Sequence, residues 1–579
     1  MRLPLRIEIA LALATVGASV SGRAEKVDLL LVHGQIYTES ATMPVAQAVA
    51  VAGDRIVFVG SNDEAREHHF EATRTIDLGG RTMVPGLNDA HMHLAGVGFR
   101  ELEFNLEGTT GIADLQQRLV ARVRASPRKG WLRGRGWIET HWAPATFPMA
   151  ADIDAVVADR PVALVRADGH ALVANAAALK LAGIDATTPN PTGGEILRDP
   201  KTGRPTGMLI DNAMTLINRL IPPATEDELA EALVVGARRE ATLGWTGIQV
   251  AGHDWEESQL LRRLVANGRI GLRVYDAVSG PGPESATGVR TPGTKYEDGT
   301  AAARLFEEGA VIDESGGRYT RRAVKMWMDG ALGSRGAALL QPYSDYPSTG
   351  LLMHREEDLL PFLCEALRRG IQIEIHAIGD RANRQVLDLY EKAFAAVPVS
   401  ERKVAAPRWR VEHAQIVAPV DIPRFAKMEV IASMQPSHAI GDLYFAPKRL
   451  GQDRLAGAYA WQSILQTGAA FCAGSDAPVE RGEPMIEFYA AISRRSLDGY
   501  ADADWHLEQR MTRAQILAAL TTGAAYASFQ ESNRGAIEVG KWADLTVLTG
   551  DIMTIPEPEV LKVRCALTIV GGRVVFEAP

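Results

Sequence analysis

The sequence predicts an α/β fold: a (β/α)₈ barrel of the TIM type, with a small β-sandwich formed from both chain ends and a long insertion after barrel strand 1. Three observations predict it. Eight short apolar runs, spaced by helix-like stretches, fill the central part of the chain at 86–530. β-rich segments with turn signals lie at opposite ends, at 25–85 and 531–579. About 150 residues separate the first central run from the second, far more than a plain connection needs.

Taken in order, residues 1–24 read as a secretory signal peptide. Arg2 and Arg6 precede an apolar run from Ile7 to Val20, and small residues follow, with Glu8 as the one interruption. The expected location is therefore periplasmic or secreted, and cytoplasmic if the segment is instead an unprocessed N-terminal tail. No later stretch reaches the roughly 18 apolar residues that span a bilayer, so no integral membrane segment is expected after processing. The segments "VDLLLVHGQIYT", "AVAVAGDRIVFVG" and "TRTIDLGGRTMVPG" supply the N-terminal part of the sandwich, 25–85. The insertion, about 96–243, holds helix-like "GIADLQQRLVARVRA" and "EDELAEALVVGARREATLG". Its Trp137 and Trp142 either anchor that insertion or line an apolar pocket. At the C-terminus, Gly571-Gly572 between two β-rich runs is a hairpin signal.

Composition excludes several functions. Lys and Arg total 62 against 71 Asp and Glu, a formal charge of −9, so there is no basic field for nucleic acid. The three cysteines, Cys364, Cys472 and Cys565, are too few and too scattered for a disulfide framework or a thiolate zinc site. A small-molecule substrate is the expected partner, and a homodimer through barrel helices is compatible with the sequence.

The chemistry lies at the ends of the apolar runs, where barrel enzymes place their active sites. "DAHMH" puts His91 and His93 on one face of a strand, because residues i and i+2 point the same way. Later runs end near Lys325, His376, His413 and Asp476. Imidazole and carboxylate suit zinc and similar ions. A lysine that has reacted with carbon dioxide carries a carbamate, a carboxylate mimic able to bridge two cations.

These motifs resemble the amidohydrolase superfamily, and within it the amidohydrolase family 3 group, which includes N-substituted formamide deformylases. The matching segments are "VPGLNDAHMHL", "VKMWMDGALGSRGAAL", "IEIHAIGDRAN", "RVEHAQIV", "MQPSH", "CAGSDAPVERGEPM" and the tail from "LTTGAAYASF" to "ADLTVL". The resemblance implies a distorted barrel and a centre of two divalent metals, expected to be zinc. His91, His93 and Asp476 would hold one metal, and His376 and His413 the other. Lys325, carboxylated by CO₂, would bridge them. Asp476 would serve as general base and acid for hydrolysis of a non-peptide C–N bond, of amide or N-formyl type. An esterase, lactonase or dipeptidase-like activity on the same centre is the alternative, with a non-catalytic binding protein behind it. His170, Arg335, His438 and Asp442 are the candidate substrate contacts.

Overall fold

The computed structural model describes residues 25–102, 104–125, 130–167, 169, 171–191, 194–222, 224–281, 300–501 and 505–579. The segment read as a signal peptide lies outside the described residues, as does His170. Among the described residues no helix is long and apolar enough to cross a membrane.

Eight parallel strands, with the short Val311–Asp313 added antiparallel to one of them, form the central sheet. They are β1 (Leu87–Met92), β2 (Trp245–His253), β3 (Arg273–Ser279), β4 (Tyr319–Trp327), β5 (Gln372–Ala377), β6 (Arg410–His413), β7 (Ile431–Met434) and β8 (Phe471–Ala473). Each pairs with its successor in the chain. Nearly every residue in them is buried, which is why the sequence shows short apolar runs here rather than alternation. Helices cover the outside. The helix Glu226–Leu243, for example, starts at a Thr225–Glu228 capping box and stops at Gly244, whose φ of 105° suits glycine.

No ladder joins β8 to β1. Contacts just beyond the two strands close the barrel instead: Asp476 N–H donates to His91 O and His93 N–H to Ala477 O, each at 2.7 Å. Ser475 adds its N–H and hydroxyl to the Asp89 carboxylate at 2.9 and 2.5 Å. The result is a distorted, nearly closed (β/α)₈ barrel. Gly474 makes this seam possible, since a Cβ there would stand 2.4 Å from His91 N and 2.7 Å from Asp89 Oδ1. Gly474→Ala is therefore expected to destabilise the fold by roughly 1–3 kcal/mol, the cost of overpacking. A thermal unfolding midpoint equal to that of the parent would refute this.

The chain leaves and re-enters the barrel at one place. The helices Leu94–Leu102 and Glu226–Leu243 cross where Gly98 faces Ala232 and Gly236 faces Leu94; a Cβ on Gly98 would meet Ala232 O at 1.8 Å. Between them the insertion builds its own mixed sheet from Phe104–Asn105, Leu132–Trp137, Val162–Arg166, Ala171–Ala174, Pro205–Asp211 and Gly194–Arg198. Trp137 and Trp142 are buried in its core, so they anchor the insertion. Arg100 and Arg481 tie it to the loop after β8: Arg100 donates to the Glu480 and Arg481 carbonyls at 3.1 Å, and Arg481 pairs with Glu107 at 3.0 Å.

Two further sheets lie at the chain ends. One contains only N-terminal strands, Arg55–Gly60, Ala48–Ala52, Lys26–Val32 and Glu71–Asp77. The other combines both ends, with Thr82–Pro85 antiparallel to Leu545–Leu548, and it finishes in the hairpin at Gly571-Gly572. The barrel floor is pinned to it by Arg273, which pairs with Asp544 at 2.6 Å and stacks on Trp542.

A second polar cluster sits between β2, β3 and the following helix. His253 Nδ1 lies 3.0 Å from Asp276, and its Nε2 3.1 Å from Glu257, while Ser258 and Tyr319 donate to the other Asp276 oxygen. Burial opposes a charged His253, but Glu257 and Asp276 outweigh it and push its pKa up to about 10. With the folded value above the unfolded one of ~6.5, this contribution to stability is complete below pH 6.5 and is lost as pH rises towards 10. The unfolding midpoint of His253→Asn is expected to change less than that of the parent across this window. Parallel pH profiles would refute the assignment.

Candidate metal centre

The expected ligands converge at the C-terminal ends of the strands. His91 and His93 leave β1 and the turn after it, with ring centroids 5.6 Å apart. Asp476, in the seam after β8, sits between them: its Oδ1 is 3.6 Å from His91 Nε2 and 3.2 Å from His93 Nε2. His413 at the end of β6 stands 5.0 Å from the His91 ring and 4.5 Å from the His376 ring of β5. Lys325 of β4 is fully buried, with Nζ 3.2 Å from His91 Nε2 and 5.0 Å from the Trp327 ring centre. The six residues thus surround one small volume.

Their electrostatics favour cation binding. Burial and the Lys325 ammonium press His91 down to about 4, and burial likewise holds His376 and His413 well below the ordinary histidine range. All three are neutral imidazoles with a free lone pair. Burial disfavours a charged Asp476, yet His438 and His93 beside it keep it ionised. Burial also lowers the Lys325 amine. His376 Nε2 and Asp476 Oδ1 are buried without a hydrogen-bond partner among the described residues. Orphaned buried acceptors are costly, and a divalent cation supplies what they lack. His91, His93 and Asp476 place ligand atoms within 4.8 Å of one another, and so do His413, His438 and Asp476.

Other residues hold the ligands in place, and the sequence reading did not single out Glu412 or Gln435 among them. Glu412 accepts from His91 Nδ1 at 2.5 Å, which leaves Nε2 as the free lone pair. Burial works against an ionised Glu412, but Arg410 and His91 bring it down to about 2. Gln435 takes His413 Nδ1 at 2.8 Å. Asp329 accepts from the Ala338, Ile378 and Gly379 amides, which joins the loops after β4 and β5. A sequence signal existed for one such group: Glu412 is a buried charge in a short strand, one residue before a ligand histidine. Glu412→Gln is expected to weaken metal binding about 10–100-fold, read by competition with a chelator; unchanged affinity would count against this role.

The candidate substrate residues divide. His438 joins the ligand cluster, its Nε2 3.4 Å from Asp476 Oδ2 and its ring stacked on His413. Asp442 accepts from Gln415 at 2.7 Å and from Tyr459. Arg335 is committed to Asp345 at 2.9 Å and lies over the Tyr346 ring. Cys472 is buried in β8, its thiol pushed up to about 11 by burial, as a core residue should be.

Such a barrel, with imidazoles and a carboxylate at its strand ends, defines a metal-dependent hydrolase. The chain belongs to the amidohydrolase family, whose model matches residues 74–576. It is similar to YtcJ of Bacillus subtilis (strain 168), with 32% identity over 94% of this chain and 98% of that one. It is also similar to the N-substituted formamide deformylase of Arthrobacter pascens, with 27% identity over 95% and 98% of the two chains. Among solved structures, an uncharacterized metal-dependent hydrolase from Pyrococcus horikoshii OT3 shares the fold, with a TM-score of 0.71, 24% identity and coverage of 91% and 99%.

Proposed function

We propose that this amidohydrolase cleaves a non-peptide C–N bond, of amide or N-formyl type, on a centre of two divalent metals. The observation that carries the reading is the convergence of four histidines, Asp476 and a buried lysine around orphaned acceptor atoms. His91, His93 and Asp476 would hold one ion and His376 and His413 the other, with zinc fitting this nitrogen and oxygen set. Lys325 would bridge them as a carbamate. Its amine nitrogen bonds the carbon of CO₂ and releases a proton, a reaction favoured by the lowered pKa of the buried amine.

When bound, the metals supply Lewis-acid polarisation of the substrate carbonyl and lower the pKa of water to near 7. The protein's own groups do the rest. Asp476 accepts the proton from the attacking water and delivers it to the departing nitrogen. His438, 3.4 Å from its second oxygen, steadies the carboxylate. The Glu412–His91 bond fixes the imidazole tautomer. The N-formyl preference takes support from the deformylase relative.

The test is elemental mass spectrometry of the purified protein together with hydrolysis of an N-alkylformamide, with and without chelator. Two metal equivalents per chain and chelator-sensitive release of formate are expected. Turnover of an ester or lactone with none of the formamide would replace the C–N reading, and no metal after supplementation would end it.

A further inference from the structure

The position of Trp327 follows from the strand that carries it. It ends β4, two residues after Lys325, so both side chains leave the same face of the strand. It is also in register with His376 of β5, so that face is the one that bears the metal ligands. The four residues before it on β4 are buried, whereas Trp327 is half-buried. Gly252 of β2 makes room for the indole: its φ is 87°, and a Cβ would stand 2.9 Å from Trp327 Cη2 and 3.4 Å from Lys325 Cγ. The ring thus packs against bare backbone, with its centre 5.0 Å from Lys325 Nζ.

The ligand cluster therefore has two different flanks. Asp476 stands in the seam after β8, and β4 lies on the opposite side of the barrel. Asp476 Oδ1 is 3.6 Å from His91 Nε2, which is 3.2 Å from Lys325 Nζ, and the Trp327 ring centre follows 5.0 Å from that amine. A substrate nitrogen that takes its proton from Asp476 must turn towards β8. Nitrogen and acyl group leave a carbonyl carbon in divergent directions, so the acyl group turns towards β4 and meets the indole.

We propose that Trp327 is a specificity-determining residue whose indole limits the acyl group of the substrate to formyl. The inference rests on the C–N hydrolase reading above and deepens it. A formyl carbon carries only hydrogen and ends short of the ring. An acetyl group adds a methyl, and a butyryl group a propyl chain, on the side where the ring stands. Room for either requires the indole to leave its packing against Gly252, which a close-packed wall resists. The group on nitrogen lies on the other flank, so Trp327 sets no limit on it.

The experiment compares N-butylformamide with N-butylbutyramide on the zinc-loaded parent, Trp327→Ala and Trp327→Phe. Formamides are intrinsically the more reactive, so the readout is the change in the formamide-to-butyramide ratio of kcat/KM between parent and variant. Trp327→Ala is expected to lower that ratio about tenfold or more, the scale on which an apolar pocket tells alkyl groups apart, and Trp327→Phe to lower it less. A ratio unchanged in Trp327→Ala overturns the proposal. Should that variant fail to fold, Trp327→Phe decides, and a ratio equal to the parent's overturns it. If no form hydrolyses either amide, the C–N reading fails separately. Calorimetric binding of formate and butyrate to the zinc-loaded proteins then decides on Trp327 alone: a preference for formate that Trp327→Ala removes upholds its role, and the same preference in both proteins overturns it.

Discussion

Asp476→Asn is expected to lower kcat for an N-alkylformamide by at least about 10³-fold while leaving a folded protein. The substitution keeps the size of the side chain and removes its charge. That charge is shared by His93 at 3.2 Å, His438 at 3.4 Å and His91 at 3.6 Å. General acid–base catalysis alone is worth roughly 10²–10⁴-fold, and loss of a ligand charge adds to it. The backbone contact from Asp476 N–H to His91 O does not depend on the side chain, so the seam should survive. Turnover, metal content and thermal midpoint measured on one preparation separate these effects. Full turnover in this variant would refute the role given to Asp476.

The second large effect is expected at Lys325. Lys325→Met replaces a buried amine by an apolar chain of similar length. The amine has His91 Nε2 at 3.2 Å and the Trp327 ring as its neighbours, and its usual pKa is lowered by burial. Met should therefore be tolerated by the fold. Without a bridging carbamate, bound metal should fall from two equivalents to one or fewer, and kcat by about 10³-fold, the loss of an activated nucleophile. The parent supplies an independent measurement: metal-free enzyme reloaded with zinc should regain activity faster in bicarbonate than in CO₂-depleted buffer. Two metals and full activity in Lys325→Met would rule out the bridge.

The sequence made the barrel legible because its strands are short and buried on both faces, giving apolar runs that end in chemistry-bearing residues. His91, His93, Lys325, His376, His413 and Asp476 were found in this way, and the structure brings all six together. The supporting groups were harder to read. Glu412 pairs with His91 from 321 positions away in the chain, and Gln435 with His413 from 22, so no local pattern announces either contact. Arg335 shows another limit of local patterns. It is a candidate substrate contact, and its ion-pair partner, Asp345, lies in an irregular loop without periodicity to read. The missing ladder between β8 and β1 was also invisible, because it depends on how far two loops can approach across Gly474.

That unladdered seam has a consequence for how the molecule comes into being. Ser475 and Asp89 are 386 positions apart, so the two halves of the closure leave the ribosome at very different times. At ordinary synthesis rates the interval is roughly 20–80 s. Until it ends, His91 and His93 have no carboxylate between them, and a metal ion captured early would find only part of its ligands. The segment after β8 completes the wall of the barrel and brings Asp476 between the two histidines at once.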